Sequence, residues 1–211
     1  MPEGHAIRRL EGRLGLSWVA LDAMGVIYEQ RGVSALLAAF AGRLGVSVDP
    51  EEARRLYRQA SLGLLSSSEL WEALGIPGTG RDEEFLRHRL LMPGVREFLA
   101  AMRRLGVRVG CITNDVAEWA LRQRRRYGLE DGIWPWVVSG DVGVRKPAPE
   151  IYERFLAEAG CEAEDCMFID DTPENLDTAG RLGFRTLGFP GTFGEIFDLI
   201  TEQRRCTYGQ R

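Results

Sequence analysis

The chain is predicted to be an α/β protein: a doubly wound, Rossmann-like parallel sheet carrying an inserted α-helical unit. Three observations point there. From Pro93 onward, short apolar runs alternate with amphipathic stretches of about ten to fifteen residues, the rhythm of strand–helix repeats. Four apolar runs end near a polar residue, as strands do when they feed one ligand site at their carboxyl ends. Residues 30–91 break the rhythm and show helical spacing alone.

Taken in order, Trp18-Val19-Ala20-Leu21 is the first strand and stops on Asp22. Leu36, Leu37, Phe40 and Leu44, then Ala53, Leu56, Tyr57 and Ala60, then Leu70, Trp71 and Leu74 mark three or four helices. Gly32, Pro77-Gly78 and Pro93-Gly94 punctuate them. Val95 to Leu105 is a helix closed by Gly106, Val107 to Ile112 a buried-type strand, and Val116 to Tyr127 a helix closed by Gly128. Trp136 to Ser139 is a strand, Pro149 to Ala159 a helix and Met167 to Ile169 a strand. Pro173 opens a helix running to Leu182, as proline suits a first helical position. Phe184 to Leu187 is a short strand and Phe193 to Gln203 a last helix. The expected division is a core of residues 1–29 and 92–211 with a helical cap of 30–91, placed to act as a lid.

Composition narrows the function. With 27 basic and 31 acidic residues the formal charge is −4, which gives no reason to expect a nucleic-acid partner. The Arg122–Arg126 cluster ends a helix and reads as a solvated face favoured by the helix dipole. The four cysteines have no metal-ligand spacing, and Cys111 and Cys166 sit in strand-like runs as small hydrophobes. Trp18, Trp119, Trp134 and Trp136 are expected to pack in the core or between helices. No signal peptide and no apolar stretch of about 18 residues is present, so a soluble cytoplasmic protein is expected.

The strand ends carry the chemistry. Adjacent carboxylates repel, so Asp170-Asp171 at the end of Cys166-Met167-Phe168-Ile169 calls for a cation or a set of donors. Asp22 is a candidate nucleophile or a further ligand, and Gly25 beside it suggests close backbone approach to a ligand. Three carboxylates with waters and a phosphate oxygen suit Mg2+. Thr113 and Asn114 are placed to donate to phosphoryl oxygens, and Lys146 to set an ammonium against a phosphate.

This order of features resembles the haloacid dehalogenase superfamily of hydrolases. The likeness rests on Leu21-Asp22-Ala23-Met24-Gly25-Val26, Cys111-Ile112-Thr113-Asn114, Gly143-Val144-Arg145-Lys146-Pro147, and Phe168-Ile169-Asp170-Asp171-Thr172-Pro173-Glu174-Asn175, and it spans residues 18 to 190. The insertion after the first motif, with Ser68-Glu69-Leu70-Trp71, resembles that superfamily's helical-cap subgroup. The resemblance implies phosphoryl transfer from a small phosphorylated metabolite through an aspartyl-phosphate at Asp22. Lys146 and Mg2+ would neutralise charge while Thr113 orients the phosphoryl group.

One position departs from the pattern. Met24 stands where the resemblance implies a second aspartate that protonates the leaving group and activates water, work worth ~10²–10⁴ in rate. Its main-chain carbonyl remains available to the metal, alongside Asp22, Asp170 and Asp171. Three readings stay open: a magnesium-dependent phosphohydrolase with altered acid/base chemistry, a non-catalytic phosphate- or metabolite-binding protein, and a 2-haloacid dehalogenase. Glu69, Glu72 and His88 are the cap residues that offer a substitute acid. Separately, Met1-Pro2-Glu3-Gly4-His5 resembles the amino terminus of formamidopyrimidine-DNA glycosylases, but that family's length and zinc finger are missing, and a helical extension is the expectation.

Overall fold

A computed structural model describes residues 16–29, 32–76 and 78–208. The Met1–His5 motif, the extension through residue 15 and the Pro77 half of one turn lie outside the described residues. Five parallel strands form one sheet in the order β3-β2-β1-β4-β5, with β1 at its centre. They are β1 (Trp18–Leu21), β2 (Arg108–Thr113), β3 (Trp136–Val138), β4 (Cys166–Asp170) and β5 (Arg185–Gly188). All four residues of β1 are fully buried, which is why the run is apolar throughout and does not alternate.

The period of two along each strand splits the core into two layers. Val19, Leu21, Val109, Cys111, Met167 and Ile169 face Val95, Phe98 and Met102 of α5 (Val95–Arg104) and Phe193, Ile196 and Ile200 of α10 (Phe193–Tyr208). Trp18, Ala20, Ile112 and Phe168 face Ile151, Tyr152 and Phe155 of α8 (Pro149–Ala159) and Ala179 of α9 (Pro173–Arg181). Gly110 belongs to the second layer. A Cβ there would lie 2.5 Å from the Phe155 ring, so the ring occupies the space the glycine leaves. The layers place helices on both faces, as the alternation predicts.

The described residues between 33 and 86 contribute α1 (Val33–Arg43), α2 (Pro50–Ala60), α3 (Ser67–Ala73) and α4 (Arg81–Leu86) and no named strand. Local chemistry fixes their starts. Asp49 accepts from the Glu51 and Glu52 amides at 2.8 and 3.2 Å with Pro50 behind it, and Ser66 with Glu69 forms a reciprocal capping box. Leu37, Phe40, Leu56, Leu70, Trp71 and Phe85 make a third apolar cluster, completed by Val116 and by Trp119 of α6 (Ala117–Arg126). At its centre the buried Asp82 carboxylate accepts from Trp71 Nε1 at 2.8 Å, Trp119 Nε1 at 2.7 Å and Ser67 Oγ at 2.8 Å.

Three expectations change. Ser139 does not end a strand; it opens the short helix α7 (Ser139–Val142), and its buried hydroxyl accepts from the Asp115 amide and donates to the Ser61 carbonyl. Trp134 is not packed away but is 61% exposed. The Arg122–Arg126 cluster is more than a solvated face. Arg122 donates to Asp82 at 3.2 Å and Arg126 to the Leu86 carbonyl at 3.2 Å, which fastens α4 to α6.

Candidate active site

Sheet register brings the strand ends level. Leu21 lies beside Cys111 on one side and Ile169 on the other, so Asp22 falls in line with Ile112 and Asp170. The Asp22 amide donates to the Ile169 carbonyl at 2.8 Å, which pins the residue to β4. The chain then doubles back: Tyr28 N–H donates to the Ala23 carbonyl and Gly25 N–H to the Tyr28 carbonyl, both at 2.8 Å. Gly25 has φ 86°, so its role in this structure is to close that turn.

Lys146 reaches the same point from the loop after α7. Its Nζ donates to Asp22 Oδ1 and to Asp170 Oδ2, each at 2.7 Å, and its side chain is 1% exposed. The loop is held by a two-way clasp: Asn114 Nδ2 donates to the Lys146 carbonyl at 2.9 Å, and the Lys146 amide donates to Asn114 Oδ1 at 2.8 Å. Burial opposes the ammonium, but the two carboxylates outweigh it and hold the lysine pKa above its ordinary value. Burial raises the Asp22 carboxyl to about 7; Lys146 opposes that rise and Asp170 adds to it.

Asp170 is locked from the other side. Its Oδ1 accepts from the Thr172 amide at 2.8 Å and its Oδ2 from Asn175 Nδ2 at 3.0 Å. Oxygens of Asp22, Asp170 and Asp171 lie within 4.8 Å of one another, a hard-donor set of the kind magnesium and calcium take. Thr113 Oγ1 is buried at the end of β2 without a hydrogen-bond partner. An unmade bond of that kind costs about 1–3 kcal/mol and calls for an acceptor brought from outside.

A cavity of about 240 Å³ opens here, and its wall includes Asp22, Met24, Gly32, Asn114, Lys146 and Asp171. Asp22, Asn114, Lys146, Asp170 and Asp171 thus meet at one place, and Thr113 directly precedes Asn114 at the end of β2. Glu69, Glu72 and His88 do not join them; all three are exposed, and the Glu69 carboxylate is spent on Ser66. Sequence reasoning missed Asn175 as a member of the site. It also missed the pair Arg89–Asp115, 2.6 Å apart and fully buried, which anchors the segment after α4 beside Thr113-Asn114. Asp115 directly follows a recognised motif, and that adjacency was the available signal.

A parallel α/β sheet whose central strand ends on a carboxylate, bridged by a buried lysine to a second one, defines a Rossmann-like hydrolase scaffold. The chain belongs to the haloacid dehalogenase-like hydrolase family, whose profile matches residues 16–183. It is 30% identical over 168 residues to the phosphoserine phosphatase of Thermus thermophilus, covering 77% of this chain and 60% of that one. The chain therefore spans less than two thirds of that relative's length. Among solved structures, a predicted HAD-like hydrolase from Porphyromonas gingivalis matches with TM-score 0.72 at 21% identity, covering 89% of this chain and 98% of that one. A HAD-family enzyme from Bacteroides thetaiotaomicron, solved with magnesium and inorganic phosphate, matches with TM-score 0.70 at 19% identity, covering 84% and 96%. At these identities the two structures bear on the fold.

Proposed function

We propose that the protein is a magnesium-dependent phosphohydrolase of a small phosphorylated metabolite, working through an aspartyl-phosphate at Asp22. The observation that carries this reading is the Lys146 bridge to Asp22 and Asp170, because it orients the Asp22 carboxylate while leaving it on the cavity wall. Asp22 attacks phosphorus in line with the departing oxygen. Thr113 Oγ1 donates its unused hydrogen bond to a phosphoryl oxygen, and Lys146 offsets the negative charge gathered there. Asn114 keeps Lys146 in reach through the clasp on its main chain. Asp22, Asp170 and Asp171, with the Met24 carbonyl, are the groups that would hold Mg2+, which supplies charge neutralisation for the transferring group. Residues 30–91 serve as the cap, and their side chains, with Met24, shape the space for the leaving group.

The phosphatase named among its relatives supports a phosphomonoester substrate without identifying one. The deciding measurement is Mg2+-dependent phosphate release from an aryl phosphate by native protein and by Asp22→Asn. Release by the native protein above the Asp22→Asn blank, abolished by chelator, is expected. Native protein that only matches the blank would remove phosphohydrolysis and leave ligand binding without turnover.

A further inference from the structure

Forming a phosphoryl-carboxylate bond asks only for a carboxylate of the right geometry, but the rest of a hydrolytic cycle asks for a proton carrier. An alkoxide leaving group must be protonated as it departs, and the water that later attacks the phosphoryl group must lose a proton. Among the described residues lining the cavity, the side chains that ionise are Asp22, Lys146 and Asp171. Each is committed. Asp22 is the nucleophile, Lys146 keeps its protons between two carboxylates at 2.7 Å, and Asp171 belongs to the carboxylate cluster. Met24 lines the same cavity two residues from the nucleophile, held there by the Ala23–Tyr28 turn. A thioether neither gives nor takes a proton.

We propose that the protein accepts a phosphoryl group from donors whose leaving group departs as a stable anion, acyl or aryl phosphates, and retains it on Asp22 as a long-lived aspartyl-phosphate. This rests on the phosphohydrolase reading above and deepens it. In the first step an Asp22 oxygen bonds to phosphorus, the donor's P–O bond breaks, and the carboxylate or phenolate leaves with the electron pair. No proton moves, so Met24 costs this step nothing. In the second step a water oxygen bonds to phosphorus, the Asp22 O–P bond breaks, and orthophosphate departs. Among the described residues lining the cavity no uncommitted side chain receives the water's proton, which passes to bulk solvent, so this step limits turnover. Lys146, still bonded to Asp170, stays beside the phosphoryl oxygens and holds the adduct in place.

The test is rapid mixing of native protein with Mg2+ and 4-nitrophenyl phosphate, followed by acid quench and intact mass measurement with peptide mapping. A burst of nitrophenol approaching one equivalent, a slower steady phase, and a single phosphoryl adduct on Asp22 are expected. Met24→Asp should lose the burst and raise the steady rate on the order of 10² or more. Asp22→Asn should show neither burst nor adduct. Linear release from the first turnover, with no adduct, would overturn the proposal and leave the phosphohydrolase reading standing. A burst that survives in Met24→Asp would also overturn it, by removing Met24 as the cause. Absence of release above the Asp22→Asn blank from both native protein and Met24→Asp would sink the phosphohydrolase reading itself.

Discussion

Lys146 is buried as a cation because two carboxylates accept from it, and Asp170 can serve it only while its own orientation is fixed. Asn175 does that fixing from the first turn of α9, sharing Asp170 Oδ2 with the lysine. A partner that orients a metal-binding carboxylate is typically worth about 10–100-fold in affinity. Asn175→Ala should therefore weaken Mg2+ binding by that factor in calorimetry while the protein stays folded by circular dichroism; unchanged affinity would mean Asp170 is held without it. Asp22, Thr113 and Asp170-Asp171 were legible because an apolar run ending on a polar group has few structural reasons to do so. Asn175 was not, since an asparagine just inside a helix looks like an ordinary first-turn residue until its partner five positions back is placed. Asn114 was legible as a site residue, but its two bonds to the Lys146 main chain depend on a loop that sequence does not locate.

Elements were legible wherever hydrophobic period and turn chemistry agreed. α8 runs from Pro149 to Ala159 because proline starts it and Gly160, at φ 63°, ends it. α7 escaped notice because Ser139 follows an apolar run directly, and its helical turn is imposed by packing. A Cβ on Gly140 would sit 2.7 Å from the Ala117 nitrogen. Two contacts between elements carry predictions. Gly110→Ala pushes a methyl into the Phe155 ring of α8 and should cost about 1–3 kcal/mol in urea unfolding. Phe155→Leu in the same chain should recover part of that loss, and no recovery would place the strain elsewhere. Asp82→Ala strands two indole N–H groups and the Ser67 hydroxyl in the third apolar cluster, each at about 1–3 kcal/mol. A loss of about 3 kcal/mol or more is expected, and a loss under about 1 kcal/mol would mean α3, α4 and α6 hold together without the carboxylate.

At the scale of the molecule there are two buried ionic centres: Arg89–Asp115 joins the helical unit to the sheet, and Asp22–Lys146–Asp170 lies at the carboxyl ends of its strands. Arg89 and Asp115 neutralise each other behind Thr113-Asn114, whereas at the Asp22–Lys146–Asp170 centre two carboxylates share one ammonium. A divalent cation held there, as proposed, would relieve that excess and, by binding the folded chain, would stabilise it by about 2.7 kcal/mol at a hundredfold excess over Kd. The sign of the pH effect follows from Asp22, raised by burial to about 7 from an ordinary 3.8. Between those values the folded protein keeps a proton that the unfolded chain gives up. The metal-free protein therefore loses this part of its stability as pH rises through about 7. Mg2+ needs the carboxylate form, so its contribution grows over the same interval. Melting curves at about pH 6 and pH 8, with and without Mg2+, should show the larger cation-induced rise in Tm at the higher pH, and Asp22→Asn should remove the difference. An equal rise at both pH values would mean that Asp22 does not gate the cation, and a rise unchanged in Asp22→Asn would place the cation away from this centre.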